Sequence, residues 1–325
     1  MLQSVNSIVL AAWVLLFGWL PGAGLVRAED GAAKDGRDAK AVPALVREVH
    51  VLGASVSAGF GLKEGDHLGR MIAVSLPEGT PPPKVHASGM AFLDPEGHAD
   101  RSLEKILNGD ASLVVAIDYL FWFGYGRKWG SEEGRVQALE LGLKRLEKLS
   151  CPILLGDFPD MSSAVEAPIP MLPAAAVPKP ETLVKLNERL RAWAKDRKNV
   201  MLVPLAGLMD QLLRDQAITL GPNQWPAGTA KQLLQKDGLH PTLEGTLAVW
   251  LLADSVLEAR SPEYKAMARV HEVGVLMDKL APGAKVLAEP AGKAGQKAGA
   301  KPGEKAGQKA GQKSGAKSGE KAGGR

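Results

Sequence analysis

Apolar residues along this chain form short continuous runs, and the stretches between them carry helical spacing. Residues 46–53 (VREVHVLG) pass from alternation into an unbroken apolar run that ends in small residues, which predicts a strand feeding a sharp turn. Residues 61–76 place Leu68, Met71, Ile72 and Leu76 on one helical face, and Pro81, Pro82 and Pro83 close that unit. A short strand is predicted at 84–87, a helix at 102–107, and a buried strand at 112–120 (SLVVAIDYL). Residues 132–149 form an amphipathic helix with Val136, Leu139, Leu143, Leu146 and Leu149 on one side. Strands at 152–155 and 200–204 flank a proline-rich loop and a helix at 181–196. A second long loop at 217–238 precedes helices at 243–257 and 263–280.

Five short apolar strands alternating with helices predict a parallel sheet covered on both faces, a three-layer α/β/α sandwich. Ligands on such sheets bind beyond the carboxyl ends of the strands, where the connections change direction. The turn at 53–59 therefore belongs to the expected crevice.

The two ends read differently. Residues 8–20 are continuously apolar and lead into Pro21, Gly22, Gly24 and small residues before Glu29. Residues 1–28 have the build of a secretory signal peptide, except that no Lys or Arg precedes the apolar run. The run is short of the about 20 residues that span a bilayer. It is read as a cleaved signal or, alternatively, an uncleaved anchor, and either takes the domain out of the cytoplasm to a periplasmic or secreted location. Residues 29–45 are polar and aperiodic, a linker, and the folded domain is expected at 46–281. In the tail, 282–325, lysines recur every four residues from Lys293 to Lys321, with glycine third in every unit. Each such glycine costs a helix about 1 kcal/mol against alanine, and no apolar face repays it, so the tail is expected to be disordered.

Composition sharpens this division. Of the 325 residues, 45% are hydrophobic and 23% charged, as in a soluble globular protein. The net charge of +4 is uneven: residues 285–325 hold nine Lys and one Arg against three Glu, or +7. A mildly acidic domain thus carries a basic tail suited to an anionic envelope polymer or a membrane surface, and nothing points to specific nucleic-acid binding. Cys151 is the single cysteine, so no intrachain disulfide forms, and no Cys/His cluster has zinc spacing.

Two stretches carry chemistry. Asp237-Gly238-Leu239-His240-Pro241-Thr242 sets a carboxylate and an imidazole three residues apart on a loop, the pairing that orients a histidine toward a nucleophile. The turn after the first strand reads Gly53-Ala54-Ser55-Val56-Ser57-Ala58-Gly59-Phe60-Gly61. Together, in this order, they resemble the SGNH hydrolases, the GDSL esterase/lipase family. The resemblance covers about residues 47–260. It implies a flavodoxin-like five-stranded sheet, with Ser55 as nucleophile, His240 as general base and Asp237 orienting it. It also implies the Ser55 and Gly89 N–H groups as oxyanion donors, and no cofactor.

The sequence departs from the family in two places. Ala54 stands where the family has an Asp, and alignment of the third strand with the family's Gly-x-Asn-Asp block places Tyr119 at its Gly and Phe121 at its Asn. Loss of one oxyanion donor costs about 2.7–4 kcal/mol of transition-state stabilisation. Tyr119 or Asn223 is a possible replacement donor. The aromatics Tyr119, Phe121, Trp122, Phe123 and Tyr125 are either core packing or a substrate wall, for an acyl chain or a stacked sugar. Ser57 is expected to cap a helix, as is Asp118 unless it supports the site, and Asp157 is equally open. The proline-rich loop at 167–180 is either a lid or a surface excursion, and His50 and His86 are expected as satisfied core residues. The sequence thus predicts an exported serine esterase acting on acylated carbohydrate, lipid or small esters. Its alternative is a catalytically inactive domain of the same fold that binds envelope glycan, with the tail as electrostatic attachment.

Overall fold

Residues 42–126 and 131–292 are described by a computed structural model. The first strand, β1 (Val49–Gly53), is buried along its whole length and turns directly into the single-turn helix α1 (Ser55–Ala58). Helix α2 (Leu68–Ser75) returns to β2 (Lys84–Ala87), and α3 (Pro95–Leu107) leads to β3 (Leu113–Ala116). After the short α4 (Phe121–Gly124) and α5 (Glu132–Leu146) come β4 (Ile153–Gly156), α6 (Pro180–Lys195) and β5 (Val200–Val203). The five strands are all parallel, in the order β2-β1-β3-β4-β5, the flavodoxin-like order. Register aligns Val51 with Val85 on one side and Val115 on the other, so Gly53, Ile117 and Gly156 end at one edge.

β3 and β4 are buried at every position, as a parallel sheet covered on both faces requires. On one face α5 lies between α3 and α6. The other face holds α2 and three later helices: α7 (Leu205–Leu213), α8 (Leu243–Arg260) and, after α9 (Pro262–Lys265), α10 (Val273–Leu280). α8 packs on both α2 and β5.

Several elements differ from the sequence expectation. α3 starts at Pro95, seven positions earlier than its apolar spacing suggested, because Asp94 caps it by accepting from the Gly97 N–H at 3.0 Å. β3 stops at Ala116, where the chain leaves the sheet. An antiparallel pair, β6 (Ile218–Leu220) and β7 (Asn223–Trp225), lies within the loop expected at 217–238, and α7 has no counterpart among the predicted elements. The single helix expected at 263–280 is two, because Arg269 between them turns inward onto Asp254 and Glu258.

The domain also extends past 281. Val286, Leu287 and Ala288 pack on the core, and a two-residue strand β8 (Glu289–Pro290) pairs with β7. The buried Glu244 carboxylate holds this strap by accepting from Leu287 N (2.9 Å), Ala288 N (2.8 Å) and Trp225 Nε1 (2.8 Å). At the other end Leu45 and Val46 already belong to the core. The signal segment, almost all of the linker and the lysine repeats lie outside the described residues. Among the described residues no helix is long and apolar enough to cross a membrane.

Candidate active site

The Asp237–His240 loop is held by backbone before any side chain acts. Gly238 takes φ 64°, a conformation open to glycine, and its N–H donates to the Gln235 carbonyl at 3.0 Å. Gln235 N donates to the His240 carbonyl at 2.8 Å, and its side-chain amide donates to the Pro241 and Phe60 carbonyls, each at 2.8 Å. Thr242 then caps α8. In that frame Asp237 Oδ1 accepts from Leu239 N and His240 N, each at 2.9 Å, and Oδ2 lies 2.7 Å from His240 Nδ1.

Burial pushes the Asp237 carboxyl up, but the backbone N–H of His240, its imidazole and the Leu239 N–H outweigh burial and hold it below the usual carboxylate range. An ionised carboxylate beside Nδ1 holds the ring with that nitrogen turned to it, so Nε2 is the ring nitrogen left for a partner. Nε2 is buried and has no hydrogen-bond partner. The Phe60 ring lies on the imidazole, centroids 4.5 Å apart, and screens it from water.

The Ser55 turn is held from the turn that follows the third strand. The Asp118 carboxylate accepts from Ala54 N (3.0 Å), Val56 N (2.8 Å), Ser57 N (3.2 Å) and the Ser57 hydroxyl (2.5 Å). This is the cap of α1, so Ser57 is not the capping residue; it donates to the one that is. Asp118 thus sets a carboxylate against a turn in which Ala54 offers none. The departure of β3 from the sheet at Ala116 allows this reach. A Cβ on Gly53 would lie 2.3 Å from Asp118 Oδ1 and from Ser57 Oγ, so only glycine fits there. His98 adds a 2.9 Å contact from Nε2 to the Gly53 carbonyl.

Among the described residues, the Ser55 and Gly89 N–H groups meet no acceptor. Ser55 lines a cavity of about 90 Å³ at the carboxyl edge of the sheet, shared with Phe121, Leu239 and Pro241. Its hydroxyl does not bond His240 Nε2. Gly89 neighbours the same group of residues through Phe60, whose Cδ2 would be 3.1 Å from a Cβ at Gly89.

The chain matches no protein-family model and no curated protein. It is similar to solved structures. TesA is 18% identical over 66% of this chain and 99% of that one, with a TM-score of 0.40. A protein of Slackia heliotrinireducens assigned to the SGNH hydrolases is 18% identical over 64% and 98%, TM-score 0.41. The psychrotrophic esterase EstA from Pseudoalteromonas sp. is 12% identical over 66% and 97%, TM-score 0.40. What this site can do follows from its own residues.

Those residues correct the expectation for the third oxyanion donor. The Tyr119 hydroxyl donates to the Gly142 carbonyl at 3.2 Å, and the side chain is buried under α5. Asn223 is equally committed: its amide donates to the Leu220 and His271 carbonyls and its oxygen accepts from Val273 N. Neither reaches the site. Phe121 lines the cavity as an apolar wall, stacked on Tyr125 at 4.2 Å. Trp122 stands edge-on to Phe121 at 4.9 Å and faces the exposed Phe92 rather than the cavity. Tyr119, Phe123 and Tyr125 are core.

Elsewhere, Asp157 accepts from Ala206 N at 2.7 Å and so caps α7; burial pushes its carboxyl up against that hydrogen bond. His50 Nδ1 lies 3.0 Å from His86 Nε2 and its Nε2 lies 2.9 Å from Glu48, as expected of satisfied histidines. Asp254, Glu258 and His271 converge closely enough to hold a metal ion, but the Arg269 guanidinium is already ion-paired to both carboxylates and serves as the resident cation. Ala167 packs against Gly238, and Ile169 N donates to Lys236 O, so the proline-rich loop is joined to the histidine loop.

Proposed function

We propose that this protein is a serine hydrolase of carboxylic esters, with Ser55 as nucleophile, His240 as general base and Asp237 orienting it. The single observation that carries the reading is the buried His240 Nε2. A carboxylate fixes its ring, a phenylalanine covers it, and no protein group accepts or donates there. A buried polar atom without a partner costs stability, so its retention signals use.

In the reaction, Ser55 Oγ attacks the ester carbonyl carbon as its proton passes to His240 Nε2. The oxyanion receives the Ser55 and Gly89 N–H groups. His240 returns the proton to the departing alkoxide, and water, deprotonated by His240 in turn, releases the acid. Ser55 Oγ must close on Nε2 when substrate enters, as apo sites commonly require. With two backbone donors and Phe121 in place of an amide, turnover is expected to be slow. The apolar run at 8–20 supports an exported enzyme, and the basic tail supports attachment to an anionic polymer or membrane surface.

A second reading has its own observation: the missing third donor also suits an inactive domain of the same fold that binds envelope glycan. Labelling by a fluorophosphonate and hydrolysis of p-nitrophenyl acetate separate the two. Labelling and hydrolysis lost in Ser55→Ala support the enzyme; a wild type as inert as Ser55→Ala supports the binding domain.

A further inference from the structure

The cavity beside Ser55 is not an open groove of polar groups. It continues from Ser55 and Phe121 between α7 and α8, where Leu208, Met209 and Leu212 face Ala248 and Val249. Two glycines, Gly156 and Gly245, also line it. Both are tightly bound by backbone: a Cβ on Gly156 would meet the Ile117 carbonyl oxygen at 2.0 Å, and one on Gly245 the Leu233 oxygen at 2.1 Å.

Two carboxylates reach the lining, and both have other work. Asp118 is taken up by the Ser55 turn and Asp157 by the start of α7. No Asn, Gln, Lys, Arg or His lines the chamber. A sugar placed there would bury hydroxyls with almost nothing to bond, whereas a hydrocarbon chain leaves no polar atom unpaired.

We infer that this chamber receives the acyl chain of the ester, so that the substrate is an unbranched aliphatic ester of about six to eight acyl carbons rather than an acetylated glycan. The inference rests on the serine-hydrolase reading for its chemistry but on the cavity alone for its specificity. The length follows from size. At roughly 15 Å³ for each water-sized group, 90 Å³ holds about six, and the carbonyl carbon remains outside at Ser55. Ser55 Oγ forms its bond to that carbonyl carbon, the ester C–O bond breaks, and the alcohol leaves on the open side with the proton from His240. Each methylene that enters the chamber should raise kcat/KM by up to about fourfold, and the rise should stop once the chamber is full.

The test is a series of p-nitrophenyl esters from acetate to palmitate, together with calorimetric titration of 1-octanol into Ser55→Ala. The expected result is an optimum at hexanoate or octanoate, octanol binding that survives loss of the nucleophile, and an optimum moved to shorter chains in Ala248→Leu. Should Ala248→Leu not fold, Val249→Phe narrows the chamber from its partly exposed wall. Rates that fall steadily from acetate overturn the acyl chamber and leave the serine hydrolase standing. Octanol binding blocked by these substitutions in a protein that cleaves no ester supports the chamber and removes the hydrolase. Neither hydrolysis nor binding overturns both.

Discussion

Asp118 grips the backbone on both sides of Ser55 and leaves the Ser55 N–H untouched. Its oxygens accept from residues 54, 56 and 57, so the donor left over is the one an oxyanion would need. The turn after the third strand thereby shapes the Ser55 turn, which lies more than sixty residues earlier in the chain. Asp118→Asn keeps the size but converts one acceptor oxygen to a donor. Hydrogen bonds to a charged group contribute about 1.5–3 kcal/mol each. The variant should therefore lose roughly that much stability in urea unfolding and at least tenfold in ester kcat/KM. Wild-type activity with unchanged stability would show that the turn holds itself.

Gly53 permits that grip. A Cβ there would sit 2.3 Å from Asp118 Oδ1 and 2.5 Å from Ser57 Cβ, far inside contact distance. Gly53→Ala should cost about 1–3 kcal/mol, as overpacking in a tight site does, and should reduce activity in parallel with Asp118→Asn. The double variant should be less damaging than the sum, because both act on one contact. Thermal melts of the four proteins give the cycle.

Asp237 should behave as a carboxylate that resists acid. Its folded value lies below the ordinary 3.8, so it contributes stability that is present above that value and lost as pH falls through the lowered one. Asp237→Asn should be less stable than wild type at neutral pH, with the gap closing only in strong acid. Its kcat should drop by about 10⁴, since Nδ1 loses the group that fixes its tautomer. Urea unfolding from pH 7 to 3 and steady-state rates at pH 7 check both.

How much of this was legible in the sequence depended on how local each signal is. The parallel sheet was, because five apolar runs such as 113–116 and 153–156 need no partner to be recognised. The Asp237–His240 pair was, because its geometry is set within six residues that carry their own Gly and Pro. The Asp118 cap was not: Asp118 sits in an apolar run next to aromatics, and nothing there names Ser57 as its partner. Tyr119 and Asn223 look like free polar donors until Gly142, Leu220, His271 and Val273 claim them. The strap at 287–288 was hidden for the same reason, since Glu244 reads as an ordinary acidic residue in the first turn of a helix.

The His50–His86 pair predicts a different acid response. Burial, and then the neighbouring His50, Lys105, Lys84 and His98, lower His86 from 6.5 to about 4, while Lys84 and then His50 hold Glu48 at about 2. The folded protein binds the His86 proton less readily than the unfolded chain does. Stability should therefore decline as pH falls from about 6.5 toward 4 and be level above that window. His86→Gln should flatten this part of the profile. A wild-type profile already flat between pH 7 and 4 would count against a half-buried His86 with a lowered value.

The Glu244 strap makes the last prediction, and it concerns where the domain ends. The Glu244 carboxylate, buried four residues after His240, is met among the described residues only by Trp225 Nε1 and the Leu287 and Ala288 N–H groups. If residues 282–290 were a tail, removing them would leave stability unchanged. Because they carry two of these three donors, truncation after residue 281 strands a buried carboxylate with one partner. It should lower the melting temperature and cost about 2–4 kcal/mol. Truncation after residue 292 removes the lysine repeats but keeps every donor, and should melt with the full chain. Glu244→Gln should fall between them: its oxygen still accepts, while its amide nitrogen faces backbone N–H groups it cannot accept from. Equal melting of the two truncated proteins would place the domain boundary back at 281.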